Sequence, residues 1–206
     1  MARDPANPPR ATVASPTREA MPTDLPFTED AAANRLLAAD PLALLIGMML
    51  DQQFPMERAF LSPYLLAARL GGNLDARTIA TMEPDALKAA FRGPPALHRF
   101  PGSMASRCRE LCRHVADAYG GDAARLWTGA SDGRDLLARL EALPGFGKAK
   151  ARIFIGVIGK RLGAGPPGWE QYAADWPSIA DVDSFEKVYE LREQKRAMKA
   201  KGGRGG

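Results

Sequence analysis

Leu143-Pro144-Gly145-Phe146-Gly147-Lys148-Ala149-Lys150-Ala151 is the stretch on which the reading of this chain turns. Pro144 stops one helix, Gly145 and Gly147 flank a single apolar residue, and an alternating Lys/Ala run starts the next helix. The segment therefore predicts helix, tight turn, helix. Glycine lets such a turn take positive φ and bring its backbone close to another molecule. The first N–H groups of the following helix lack intrahelical acceptors, and with the helix dipole they favour an anion. From Leu143 to Arg161 the chain carries Lys148, Lys150, Arg152, Lys160 and Arg161 and no acidic residue. That is the cationic surround a nucleic-acid backbone binds. Phe146, between the glycines, is expected to anchor the turn in the core.

The rest of the chain reads as helices and breaks. Thr28 or Asp30 caps a helix through Asn34, Leu36 and Leu37, and Asp40-Pro41 opens a very apolar one running to about Gln53, which should be buried. A third runs from Met56 to Leu70 and stops at Gly71-Gly72; Asp75 and Glu83-Pro84 each begin short helices ending before Gly93-Pro94-Pro95. Ser103 to Tyr119 is helical, Gly120-Gly121 breaks it, and Ser131 to Ala142 forms the helix entering the turn, with Leu136, Leu137 and Leu140 on one face. Its partner runs to Leu162, so the hairpin spans 131–162. Gly163 to Pro177 is an irregular loop with Trp169, Tyr172 and Trp176, and Asp183 or Ser184 caps a final helix to about Lys199. No strand pattern and no internal repeat occurs. The expected fold class is all-α, in one domain over residues 28–200, between a disordered leader at 1–27 rich in Pro, Ala, Thr and Arg and a flexible tail at 201–206.

Composition bounds the function. A chain of 206 residues buries a substantial core, and its net charge of +4, with a pI near 9.2, points to an acidic partner. The longest apolar run, Pro41 to Leu50, is too short to span a bilayer, and no amphipathic helix with an aromatic face suggests a membrane surface. Met1 to Pro26 lacks the apolar core of a secretory signal, which with only two cysteines fits a reducing cytoplasm.

The hairpin word also carries a resemblance. Leu143, Pro144, Gly145, Gly147 and Ala151 are similar to the helix-hairpin-helix signature, and with an Asp downstream in Val182-Asp183-Ser184 the chain resembles the HhH-GPD superfamily of base-excision DNA glycosylases. The likeness covers roughly Leu42 to Val188 and implies a helix-hairpin-helix glycosylase-like helical bundle. It also implies duplex DNA containing a damaged base as partner, bound through Leu143, Pro144, Gly145, Phe146, Gly147, Lys148, Ala149 and Lys150. Met49-Leu50-Asp51-Gln52-Gln53 resembles the family's Leu-x-Gln-Gln helix end, where Gln52 or Gln53 fills the gap left by an extruded base. An uncharged amide suits that task because it meets the orphaned base without desolvating a charge. The alternative is a polar end to an apolar helix.

Breaking an N-glycosidic bond places positive charge on the sugar, so an ionised carboxylate is needed near it. The resemblance points to Asp183, with Asp181 as rival, and either also serves as a plain helix cap. Where the family has Val-Asp-Thr-His, this chain has Val182-Asp183-Ser184-Phe185. Bifunctional relatives carry a Schiff-base Lys two places after the second hairpin Gly; here that place is Ala149, so the expectation is a monofunctional glycosylase. The four C-terminal cysteines of cluster-binding relatives are missing, and no cofactor or metal is expected. Cys108 and Cys112, one helical turn apart near His114, fit a buried thiol pair better than a metal site. His98 reads as a surface residue, and Arg99, Arg107, Arg109 and Arg113, like Lys195, Arg196, Lys199 and Lys201, suit either a phosphate track or a solvated face. The aromatic loop either stacks on a base or packs over the core edge. The whole describes a monomeric, nucleoid-associated repair enzyme; the competing reading is a noncatalytic hairpin module that binds DNA.

Overall fold

The computed structural model describes residues 22 to 202, and within that span the chain is helical, with no strand. Ten α-helices follow in order: α1 Ala31–Ala39, α2 Pro41–Leu50, α3 Met56–Arg69, α4 Ala76–Thr81, α5 Pro84–Arg92, α6 Pro101–Tyr119, α7 Arg125–Thr128, α8 Gly133–Glu141, α9 Lys148–Gly156 and α10 Phe185–Gly202. A π-helical turn, Val157–Arg161, extends α9. The starts follow local chemistry. Asp30, Asp40 and Asp75 each accept amide hydrogen bonds from the first turns of α1, α2 and α4, and Gly120, at φ 65°, closes α6 in the left-handed conformation.

The core is built around α2. Every residue from Leu42 to Leu50 is buried, as an apolar surface all the way round the helix requires. α3 and α1 pack on it, α6 lies against α4 and α5, and α8 packs against α9. Cys108 and Cys112 sit on the buried face of α6.

Three expectations need correction. Of the leader, residues 1–21 lie outside the described residues, but its last part belongs to the core: Leu25 and Phe27 are buried, and Phe27 meets Phe60 edge-on at 5.0 Å. Their aromatic and aliphatic bulk outweighs the polar neighbours that mark the segment as unstructured. His98 is buried rather than on the surface; its ring lies against Phe54 at 4.7 Å, Nε2 meets the Gln52 carbonyl at 3.0 Å, and Nδ1 accepts the Phe100 amide at 3.1 Å. The final helix runs on to Gly202, into the stretch read as tail, of which 203–206 lie outside the described residues.

The segment from Gly163 to Pro177 is tied down by glycines. A methyl group on Gly159 or Gly165 would overlap the Trp169 ring, and one on Gly133 would lie 2.7 Å from the Gly168 carbonyl and 2.8 Å from the Tyr172 ring. Trp169 and Tyr172 therefore pack over the core edge, against both hairpin helices. Overpacking of this kind costs about 1–3 kcal/mol. Gly159→Ala should lower the unfolding free energy by that amount in denaturant titration, because a rigid indole cannot step aside.

Candidate nucleic-acid interface

The turn between α8 and α9 is held from below and open above. Leu143 and Phe146 are buried, the Phe146 amide closes the turn on the Leu143 carbonyl at 3.0 Å, and the Phe146 ring meets Phe154 edge-on at 5.8 Å. Gly145 takes φ 84°, and a Cβ there would sit 2.7 Å from the Arg107 Cδ and 3.2 Å from the Met49 Cγ. Only glycine satisfies both the conformation and the space. Gly147 caps α9 without a side-chain hydrogen bond, and a Cβ on it would meet nothing within 4 Å. Gly147, Lys148 and Ala149 are exposed, and their amides have no acceptor among the described residues. A row of unpaired N–H groups at a helix N-terminus is what an anion binds.

The five hairpin cations do not form one patch. Arg152 pairs with Asp175 at 3.3 Å and stacks on Trp176 at 4.8 Å; Lys160 reaches Asp181 at 2.6 Å; Arg161 donates to the Val182 carbonyl at 3.2 Å. Acids and carbonyls from the next segment compensate charges that are unopposed within the hairpin itself. Lys150 turns inward and donates to the Met49 carbonyl at 2.9 Å, and burial pulls its pKa down to about 8. Lys148 alone of the five stays exposed without a partner among the described residues.

The two glutamines separate in role. Gln52 is locked: its Nε2 donates to the Met49 carbonyl at 2.9 Å and its Oε1 accepts from Arg107 at 2.9 Å. α2 ends at Leu50, short of the expected Gln53, and Gln53 stands exposed with φ 51°, the one non-glycine residue at positive φ among those described. Such a conformation costs on the order of 1 kcal/mol. Beside it opens a cleft of about 920 Å³ between the α2–α3 junction, α9 and α10, lined by Asp51, Gln53, Phe54, Ala149, Lys150 and Trp176 among others. This volume lies in the range of small-ligand sites.

Neither aspartate singled out from the sequence lines that cleft. Asp181 belongs to a capping box with Ser178 and pairs with Lys160; burial works against its charge, but the Lys160 ammonium and the Ser178 amide outweigh it and hold the carboxyl below the usual range. Asp183 is exposed, and its hydrogen bond to Lys187, 2.6 Å long, holds its pKa low. The cleft contains Asp51 instead, partly buried, its pKa raised by desolvation and moderated by Lys195 and Lys150. In the sequence Asp51 stands only as the residue before Gln52-Gln53, with no signal of its own. Phe100 is exposed at 45% with the Arg99 guanidinium 4.7 Å from its ring, and its mark in the sequence is a lone aromatic between Arg99 and Pro101. Of the aromatic loop, Trp176 reaches the cleft wall.

The site so described belongs to an all-α protein with an anion-ready helical turn beside a cleft. The chain matches no protein-family model and no curated protein.

Two measurements check this geometry. Gln52→Ala leaves Arg107 without its acceptor and takes one of two donors from the Met49 carbonyl, and should cost about 1–3 kcal/mol, whereas Gln53→Gly should be neutral or stabilising by up to ~1 kcal/mol in the same denaturant titration. The folded protein gives up the Lys150 proton near pH 8 and the unfolded chain near 10.5, so the unfolded state binds more protons between those values and stability rises with pH across that window. Lys150→Met should flatten that rise, read as unfolding free energy against pH.

Proposed function

We propose that this protein is a base-excision DNA-repair protein of the HhH-GPD type, a monofunctional glycosylase that hydrolyses the N-glycosidic bond of a damaged base flipped out of duplex DNA. The observation that carries the reading is the row of exposed, unpaired amides at Gly147, Lys148 and Ala149, the last of which lines the cleft together with Gln53. A helical hairpin grips one phosphate of the backbone through those amides and the Lys148 ammonium. Gln53 enters the space the base has left, and the nucleoside enters the cleft, with Phe54 and Trp176 available as stacking faces. The helix order and the hairpin between α8 and α9 are in keeping with a helix-hairpin-helix glycosylase-like bundle. Ala149 at the position of the Schiff-base amine supports hydrolysis without strand cleavage. No cofactor enters this chemistry, the protein acts as a monomer on damaged duplex, and such work belongs to the nucleoid in the cytoplasm.

One observation favours a second reading, a noncatalytic DNA-binding module: neither Asp181 nor Asp183 lines the cleft, and each is paired with a lysine. Duplexes carrying uracil, an alkylated purine, an oxidised guanine or an abasic site distinguish the two. Release of any free base supports the enzyme, and tight binding without release across the set supports the module.

The grip itself has a sharper test. Gly147→Val places its side chain in open space, so its folding cost should stay below about 1 kcal/mol while duplex affinity falls about tenfold or more, together with a shallower dependence of affinity on salt. Gly145→Ala should lose folding stability as well, since its Cβ meets Arg107 and Met49 at a positive φ. Unchanged affinity in Gly147→Val would remove the phosphate contact and the reading with it.

A further inference from the structure

We infer that Asp51, at the end of α2, is the carboxylate that faces the reacting sugar in the cleft. The inference rests on the glycosylase reading and supplies the anion that Asp181 and Asp183 do not bring to the site. It is carried by three observations. Asp51 is the one acidic side chain lining the cleft among the described residues. Its carboxylate has no hydrogen-bond donor among them, in contrast to Asp181 and Asp183, which are tied to Lys160 and Lys187 at 2.6 Å each. And it stands on the residue before Gln52, whose side chain is fixed by Met49 and Arg107, so a Gln53 inserted into the duplex carries Asp51 in a constant place behind it.

The groups that surround Asp51 fit an ion held ready. Lys150, from α9, and Lys195, from α10, favour its charged form; Glu57, on α3, opposes it and is itself paired with Arg192 at 2.8 Å. Desolvation by the cleft walls raises its pKa, so the ion is less comfortable there than in water. An adjacent positive charge is thereby worth more than it would be in solvent, and a sugar losing its base develops that charge. The step balances with water alone. The bond between the anomeric carbon and the base nitrogen breaks, the electron pair leaves with the base, and Asp51 stabilises the resulting oxocarbenium ion. A water molecule attacks the same carbon; its proton passes to Asp51 and then to solvent, and the departing base takes a proton from solvent. Lys150, held to the Met49 carbonyl, keeps the hairpin and the Asp51 helix end in register during the step.

Asp51→Asn tests the assignment in single-turnover base release, on whichever lesion of the set the unmodified protein opens. The expected result is a fall of about 100-fold or more in rate, with duplex affinity within about threefold of the unmodified protein. Asp51→Glu, which keeps the charge on a longer arm, should recover part of the rate, and Asp181→Asn and Asp183→Asn should stay within about tenfold of the unmodified protein. The pH profile of the unmodified protein gives an independent reading should Asp51→Asn fail to fold. An acid limb lying above the ordinary carboxylate range, near 4, supports Asp51, and a rate that holds down to that range overturns it. Base release by Asp51→Asn at the unmodified rate overturns the inference while leaving the glycosylase reading in place. Binding by the unmodified protein with no release from any lesion overturns both.

Discussion

The carbonyl oxygen of Met49 is the point through which this structure is tied together. It lies in the last turn of α2, where the helix leaves its carbonyls without intrahelical donors, and two side chains converge on it: Gln52 Nε2 and Lys150 Nζ, each at 2.9 Å. A cation at that end is favoured by the helix dipole and by the unsatisfied oxygen. Because α2 is the buried centre of the fold, whatever is fastened to its end is fixed relative to the core. Lys150 fastens α9 there, and Arg107 fastens α6 through Gln52. The cleft is the space left between elements so held, and its position relative to the open amides of the hairpin follows from a single shared acceptor.

Burying an ammonium to make that joint has an energetic cost, visible in the pKa of about 8 that burial imposes on Lys150. A hydrogen bond to a helix-end carbonyl and a nearby Asp51 offset it in part. The same desolvation acts on Asp51 in the opposite sense, raising its pKa. Two ionisable groups of opposite charge thus share a cleft without a direct ion pair, which leaves each able to respond to a third charge. In the C-terminal segment the arrangement is different. Lys160 with Asp181 and Lys187 with Asp183 close on one another in short contacts at the surface, where such pairs add little to stability but do settle the direction of the chain around the capping box at Ser178.

The glycines of the hairpin divide their work in a way the words Leu-Pro-Gly-Phe-Gly do not announce. Gly145 is required by the inside of the molecule, where Arg107 and Met49 press against it. Gly147 is required by nothing in the protein and faces outward. Gly133 and Gly159 of the hairpin and Gly165 of the loop form a second set, leaving room for Trp169 and its loop to lie against the hairpin. This is why that loop, with its irregular backbone, is bound to the core edge through Trp169 and Tyr172, while its end, Trp176 and Pro177, reaches the cleft.

The sequence by itself determined that the described residues form helices and no strand, and where α1, α2 and α4 start and α6 stops, since caps such as Asp30, Asp40 and Asp75, breaks such as Gly120, and apolar periodicity act over a few residues and are written side by side. It also marked the hairpin as the outward-facing turn. Tertiary structure decided which glutamine is locked and which exposed, which lysine of the hairpin turns inward, that His98, Leu25 and Phe27 are buried, and that Asp51 rather than Asp181 or Asp183 lines the cleft. Those outcomes depend on partners far apart in the chain: 101 positions separate Lys150 from Met49, and 55 separate Arg107 from Gln52. A side chain's charge and polarity are readable one residue at a time, but its direction is set by whichever distant group satisfies it once the core has closed.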